Sequence, residues 1–134
     1  MNRRELRKNV FYAVFQLYFA GEEGQEDVLR VFFKEYDFDE DSRKIIEDEV
    51  NGIMEKSEDL DSEIEINSKG WKVSRMSKVD RAILRVALYE MKYMDDIPVG
   101  VAINEAVELA KKYSTDESPS FINGILGKIA RSGE

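Results

Sequence analysis

Ser77-Lys78-Val79-Asp80-Arg81-Ala82-Ile83-Leu84-Arg85-Val86-Ala87-Leu88-Tyr89-Glu90-Met91-Lys92 is the stretch on which the reading of the whole chain turns. Val79, Ala82, Ile83, Val86 and Ala87 recur at the spacing of one helical face, and Leu84, Leu88 and Met91 fill a second. A helix apolar around so much of its circumference has to be surrounded by other elements, so it belongs at the centre of a bundle. Ser77 stands as its N-cap, with acidic Asp80 three positions on. Lys78, Arg81, Arg85 and Lys92 form the polar stripe that remains.

The flanks follow the same 3.6 period. On the C-terminal side, Ile97-Pro98-Val99-Gly100 is a loop or helix start, and the spacing predicts a helix over 101–113 with Ile103, Ala106, Val107 and Ala110 inward. Glu108 faces Lys111 and Lys112 there. Ser118-Pro119 opens a last helix as N-cap and first turn, with Phe121, Ile122, Ile125, Leu126 and Ile129 on its apolar side. Gly124 and Gly127 each cost that helix about 1 kcal/mol of propensity, which close approach of another helix would offset.

On the N-terminal side, Asn67, Ser68 and Gly70 make the clearest break. Trp71 follows it and is expected to be buried where the two halves of the chain meet. Before the break, helices are predicted over 27–35, 41–56 and 60–66, the second burying Ile45, Ile46, Val50, Ile53 and Met54. Asn2 caps a first helix with Glu5 in capping-box position, and Leu6, Val10, Ala13, Val14 and Leu17 share its inner face. Gly21 and Gly24 stop it. The fold class is all-α: about seven helices in one domain, residues 1–134, in halves of roughly 1–68 and 71–134, with no strand and no repeat.

Composition narrows the function. With 134 residues and 43% hydrophobic content the chain can close one core unaided. It has no cysteine and no histidine, which removes a disulfide framework, the usual zinc ligands, the cysteine nucleophile and the commonest general base. No metal, no cofactor and no catalytic residue is expected. Asp37, Asp39, Asp41 and Glu47 echo calcium-loop spacing but lack the turn glycine, and a solvated helix N-terminus explains them better. Gly124, Gly127 and Lys128 are too close together, and on a helix, for a phosphate loop. The basic start and the apolar run 10–20 resemble a signal peptide, but Glu5, Gln16, Tyr18 and Phe19 argue against one. A cytoplasmic protein without a membrane segment is expected.

The formal net charge is −8, yet it is unevenly placed. Residues 1–20 hold four basic side chains against one acidic, and residues 67–93 hold seven against two. Residues 21–66 hold five against eighteen. A phosphate backbone responds to the local patch, so the two basic segments remain candidates for RNA. Arg3, Arg4, Arg7 and Lys8 crowd a helix N-terminus, where the macrodipole disfavours cations. Tyr12 and Tyr18 nearby are of the type that stacks on unpaired bases.

Four stretches together resemble the NusB family: Gln16-Leu17-Tyr18 behind the arginine-rich start, Asp80 to Glu90, Ala102 to Tyr113, and Phe121-Ile122-Asn123-Gly124-Ile125-Leu126. The resemblance implies a two-part helical fold and a transcription antitermination factor. It implies binding to boxA RNA of ribosomal RNA leader transcripts with ribosomal protein NusE, joined by other Nus factors and RNA polymerase. On this sequence the implied RNA-binding residues are Arg3, Arg4, Arg7, Lys8, Tyr18 and Phe121. Asp80 and Arg81, with Arg85 on the same stripe, match the partner-facing region. Ser120 stands where many relatives carry lysine, and Pro119 is unusual there. The alternative reading is a helical protein–protein adaptor without intrinsic RNA binding; a carboxylate hydrolase is a third class. Arg4 and Arg7, three apart, are expected to project together into solvent.

Overall fold

The computed structural model describes residues 1–20 and 24–133. Its α-helices are α1 (Arg3–Leu17), α2 (Gln25–Glu35), α3 (Glu40–Glu55), α4 (Ser57–Ile66), α5 (Lys78–Tyr93), α6 (Val99–Tyr113) and α7 (Ser118–Ser132), with a 3-10 turn at Val73–Arg75 before α5. No strand occurs among the described residues. Gly21, expected to stop α1, lies outside them, and α1 has already ended at Leu17.

Helix α5 is the axis. It packs against α1, α3, α4, α6 and α7, and Ala82, Ile83, Leu84, Val86, Ala87 and Leu88 are all buried. Those six residues meet Val10, Val14, Ile46, Ile53, Leu60, Ile64, Ala106, Ile122 and Leu126 in one hydrophobic cluster. The cluster draws on residues both before and after the break at Gly70. Truncating a residue such as Leu88 to Ala would cost about 2–5 kcal/mol.

The helix starts are fixed by the side chains the sequence places there. The Glu5 amide donates to Asn2 Oδ1 at 2.9 Å, the Ser42 amide to Asp39 Oδ1 at 2.8 Å, and the Asp80 amide to Ser77 Oγ at 3.1 Å. Each satisfies a donor that has no partner inside its own helix. The last helix differs from expectation: Glu117 precedes it, and Ser118 is its first residue. The Ser118 hydroxyl is buried and donates to Asp80 Oδ2 at 3.0 Å instead of capping.

Three packing expectations are corrected. Ile45 is 43% exposed, because the buried face of α3 runs Ile46, Glu49, Val50, Ile53 and leaves Ile45 about 100° off it. Gly124 and Gly127 receive no helix: a Cβ at Gly124 would meet open space, and at Gly127 only the Arg131 guanidinium of the same helix. The close approach is at Gly52 in α3, where a Cβ would run into the Tyr89 ring of α5. Trp71 is 55% exposed. Val73 and Met76, at 3% and 8%, are the residues of this segment that join the core.

Candidate nucleic-acid interface

The N-terminal basic residues divide according to which side of α1 they occupy. Arg7 shares a face with Val10 and Val14 and is only 3% exposed. Its Nε donates to Glu90 Oε1 at 2.7 Å, and Glu90, on α5, is fully buried. Arg3 Nη2 donates to Glu49 Oε1 of α3 at 2.6 Å and to Glu90 Oε2 at 3.0 Å. Arg4 faces outward and grips Glu105 of α6 through Nη2 at 2.8 Å and Nε at 3.1 Å, with its own side chain 76% exposed. The expectation that Arg4 and Arg7 project together into solvent is therefore half wrong. Arg4 does; Arg7 is drawn inward because its position continues the apolar stripe and a carboxylate waits there.

This buried cluster ties α1 to α3, α5 and α6. Two guanidiniums, Arg3 and Arg7, neutralise the interior carboxylates, and losing one partner of such a group would cost about 3–5 kcal/mol. Burial would lower the Arg3 guanidinium pKa, but Glu49 and Glu90 more than reverse that and hold it above its usual value. Glu49 goes the other way. Burial pushes its carboxyl up to about 7 despite Arg3, and its Oε2 has no hydrogen-bond partner.

What α1 shows to solvent is a cleft against α6 lined by Arg4, Lys8, Lys111 and Lys112, with Glu105 and Glu108 on its floor and rim. Lys8 is half-buried and makes no ion pair among the described residues. Tyr12 is spent on a hydroxyl–hydroxyl bond to Tyr113. At the other end of α1, the Arg81 and Arg85 guanidiniums lie over the Tyr18 ring at 4.6 and 4.9 Å. Burial raises the Tyr18 phenol well above its usual pKa. Arg85 is further held by Asp61 through paired bonds of 2.8 and 2.5 Å.

Asp80 is buried, not outward-facing. It accepts from Ser114 at 2.6 Å and Ser118 at 3.0 Å, joining the start of α5 to the turn between α6 and α7. Phe121 is half-buried on α7 and meets Trp71 edge to face, ring centroids 6.4 Å apart. The sequence-predicted residues thus fall in four groups: Arg3 and Arg7 in the buried cluster, Arg4 and Lys8 in the α1–α6 cleft, Tyr18 with Arg81 and Arg85, and Phe121 above Asp80.

Sequence reasoning missed Glu49, Glu90 and Glu105, although the signal was present. Ile46-Glu49-Val50-Ile53 and Ile83-Val86-Ala87-Glu90 put an acid on each helix's inner stripe. An acid there needs an interior cation, and Arg7 on the inner stripe of α1 is the complement.

The family model described as NusB family matches residues 4–131. The chain belongs to the NusB family. The transcription antitermination protein NusB of Acetivibrio thermocellus is 50% identical over 131 residues, covering 98% of this chain and 90% of the relative. T. maritima NusB superposes with a TM-score of 0.87 at 37% identity, over 98% of this chain and 92% of that one. A NusB solved in complex with NusE and double-stranded RNA has a TM-score of 0.80 at 23% identity, over 97% and 96%, which shows the shared fold. Among the described residues no helix is long and apolar enough to cross a membrane, and no three His, Cys, Asp or Glu side chains group to hold a metal ion.

Proposed function

We propose that this protein is a non-catalytic transcription antitermination factor. It binds boxA RNA of ribosomal RNA leader transcripts together with ribosomal protein NusE. Membership of the NusB family across nearly the whole chain, at 50% identity to an antitermination protein, carries this reading. In it the protein works in the cytoplasm, and the RNA complex joins other Nus factors on RNA polymerase.

The geometry supports a division of parts within that reading. Arg4 and Lys8, with Lys111 and Lys112 across the cleft, supply phosphate contacts. Arg3 and Arg7 act indirectly: by neutralising Glu49 and Glu90 they set the position of α1. Tyr18, under two guanidiniums, is an RNA-facing ring, with Arg81 and Arg85 beside it on the NusE-facing side and Asp80 shaping that corner from within. Phe121 is an RNA-facing ring.

A titration of boxA RNA at fixed salt, with and without NusE, tests the proposal. One small basic cleft offers few phosphate contacts and is marginal alone at physiological salt, so saturating NusE is expected to tighten binding at least about tenfold. Unchanged affinity in the presence of NusE would refute the joint mechanism. NusE binding with no RNA binding under any condition would leave the protein–protein adaptor in its place.

A further inference from the structure

Of the three N-terminal arginines, Arg4 is the one open to solvent, yet it is not free. Its guanidinium meets the Glu105 carboxylate side-on. Nη2 donates to Oε1 at 2.8 Å, and Nε lies 3.1 Å from Oε2 and 3.2 Å from Oε1. The same fork is what an arginine offers to a phosphate. Glu105 therefore stands where a backbone phosphate would bind Arg4.

The two partners differ in freedom. The Arg4 side chain is 76% exposed, whereas that of Glu105 is 13% exposed, on α6 beside the buried Ala106. Behind the carboxylate, Arg7 Nη1 lies 3.9 Å from Glu105 Oε2. Arg7 is buried, lines the same cleft, and its Nη2 has no hydrogen-bond partner. A buried donor left unsatisfied is costly, so Arg7 holds hydrogen-bonding capacity in reserve. Arg4 can swing outward, and Glu105 keeps a counter-ion when it does. Elsewhere in the cleft Glu108 holds Lys111 at 3.2 Å, while Lys8 and Lys112 make no ion pair among the described residues.

We propose that Glu105 is a built-in competitor for RNA phosphate: it occupies Arg4 in the free protein, yields it to the strand, and falls back on Arg7. The proposal rests on the RNA-binding reading above and gives Glu105 the task of setting how much polyanion is needed to open the cleft. In the exchange one ion pair breaks as another forms, so a lone anion gains little against a carboxylate already in place. A strand that also engages Lys8 and Lys112 presents its next phosphate at high local concentration and wins the exchange. Glu105 thus gives up some affinity for discrimination against short anions.

Glu105→Gln keeps the shape of the side chain and removes its charge. Affinity of the full chain for single-stranded RNA, with NusE present, is expected to rise about fivefold, the upper end for an exposed ion pair. In an Arg4→Gln background the same change is expected to yield little, because the group competed for is gone. A gain of equal size in that background would reduce Glu105 to a diffuse repulsive charge and overturn the competition. Unchanged or weaker binding by a well-folded Glu105→Gln overturns it too, since the carboxylate would then be a support that holds Arg4 ready for RNA. The wild-type chain gives an independent reading through the NMR resonance of the Arg4 Nε–H, which responds to its acceptor. Saturating RNA is expected to move it, and inorganic phosphate at the same phosphate concentration to leave it in place. Movement of equal size by inorganic phosphate overturns the discrimination. A resonance unmoved while RNA is bound overturns the exchange but not the RNA-binding reading. Failure of the wild-type chain to bind any RNA, with or without NusE, removes both.

Discussion

Arg4 and Arg7 are three positions apart and chemically identical, yet one charge is for the surface and the other for the interior. Arg4→Glu is expected to leave the fold intact and weaken RNA binding, because it reverses an exposed charge in the cleft. Arg7→Ala is expected to lower stability by about 3–5 kcal/mol in denaturant unfolding, since it leaves the buried Glu90 with Arg3 alone, already shared with Glu49. Equal stability of the two variants would contradict the buried cluster. Glu49 gives that cluster a pH dependence. Its carboxyl is raised by burial to about 7, above its unfolded value, so the folded state holds this proton more tightly than the unfolded chain does. Stability from this group is therefore present at acidic pH and lost as pH rises through about 7. Glu49→Gln keeps an acceptor for Arg3 and has no charge to develop. Its melting temperature is expected to gain on the wild type between about pH 5 and pH 8. A constant difference over that range would show that Glu49 is ionised throughout.

Helices impose a different test, because each glycine is judged by what stands opposite it. Gly52→Ala drives a methyl into the Tyr89 ring and is expected to cost about 1–3 kcal/mol despite alanine's better propensity. Gly124→Ala meets open space and is expected to stabilise by about 0.5–1 kcal/mol in thermal unfolding. The sequence reading chose Gly124 for the close approach, and the error is instructive. Propensity marks a glycine as costly but says nothing of what faces it, and Gly52 is betrayed only by pairing α3 with α5. Helix limits and inner faces were legible because 3.6-residue periodicity is a local signal. Val10, Ile46, Leu84 and Ile122 were all readable from it, and all are buried. Ile45 and Trp71 were misplaced because apolar chemistry alone does not tell an inner from an outer position. The charged residues of the candidate site were legible as a patch and not as individuals. Charge crowding and the family resemblance single out Arg3 and Arg7 with their neighbours, but neither shows the interior acids that hold them, which lie 46 and more residues away in sequence.

For the whole molecule the net charge of −8 has the wrong sign for the RNA partner proposed above. Acidic residues concentrate in 21–66, whereas the α1–α6 cleft brings Arg4 and Lys8 together with Lys111 and Lys112. RNA affinity is accordingly expected to fall with added salt, with a log–log slope of about −3 for roughly four phosphate contacts. A flat or rising dependence would mean that net charge, not the patches, governs the encounter. The charge cluster under α1 also bears on how this molecule is made. Arg3 and Arg4 leave the ribosome well before their partners, because Glu49, Glu90 and Glu105 follow 46, 87 and 101 residues behind the arginines they meet. At roughly 5–20 residues per second, α1 waits about 5–20 s for its last counter-ion. Arg7 meanwhile stays in water until Glu90 follows, 83 residues behind it. Helix α1 is thus made long before it is locked, and its last ion pair closes only once α6 has emerged.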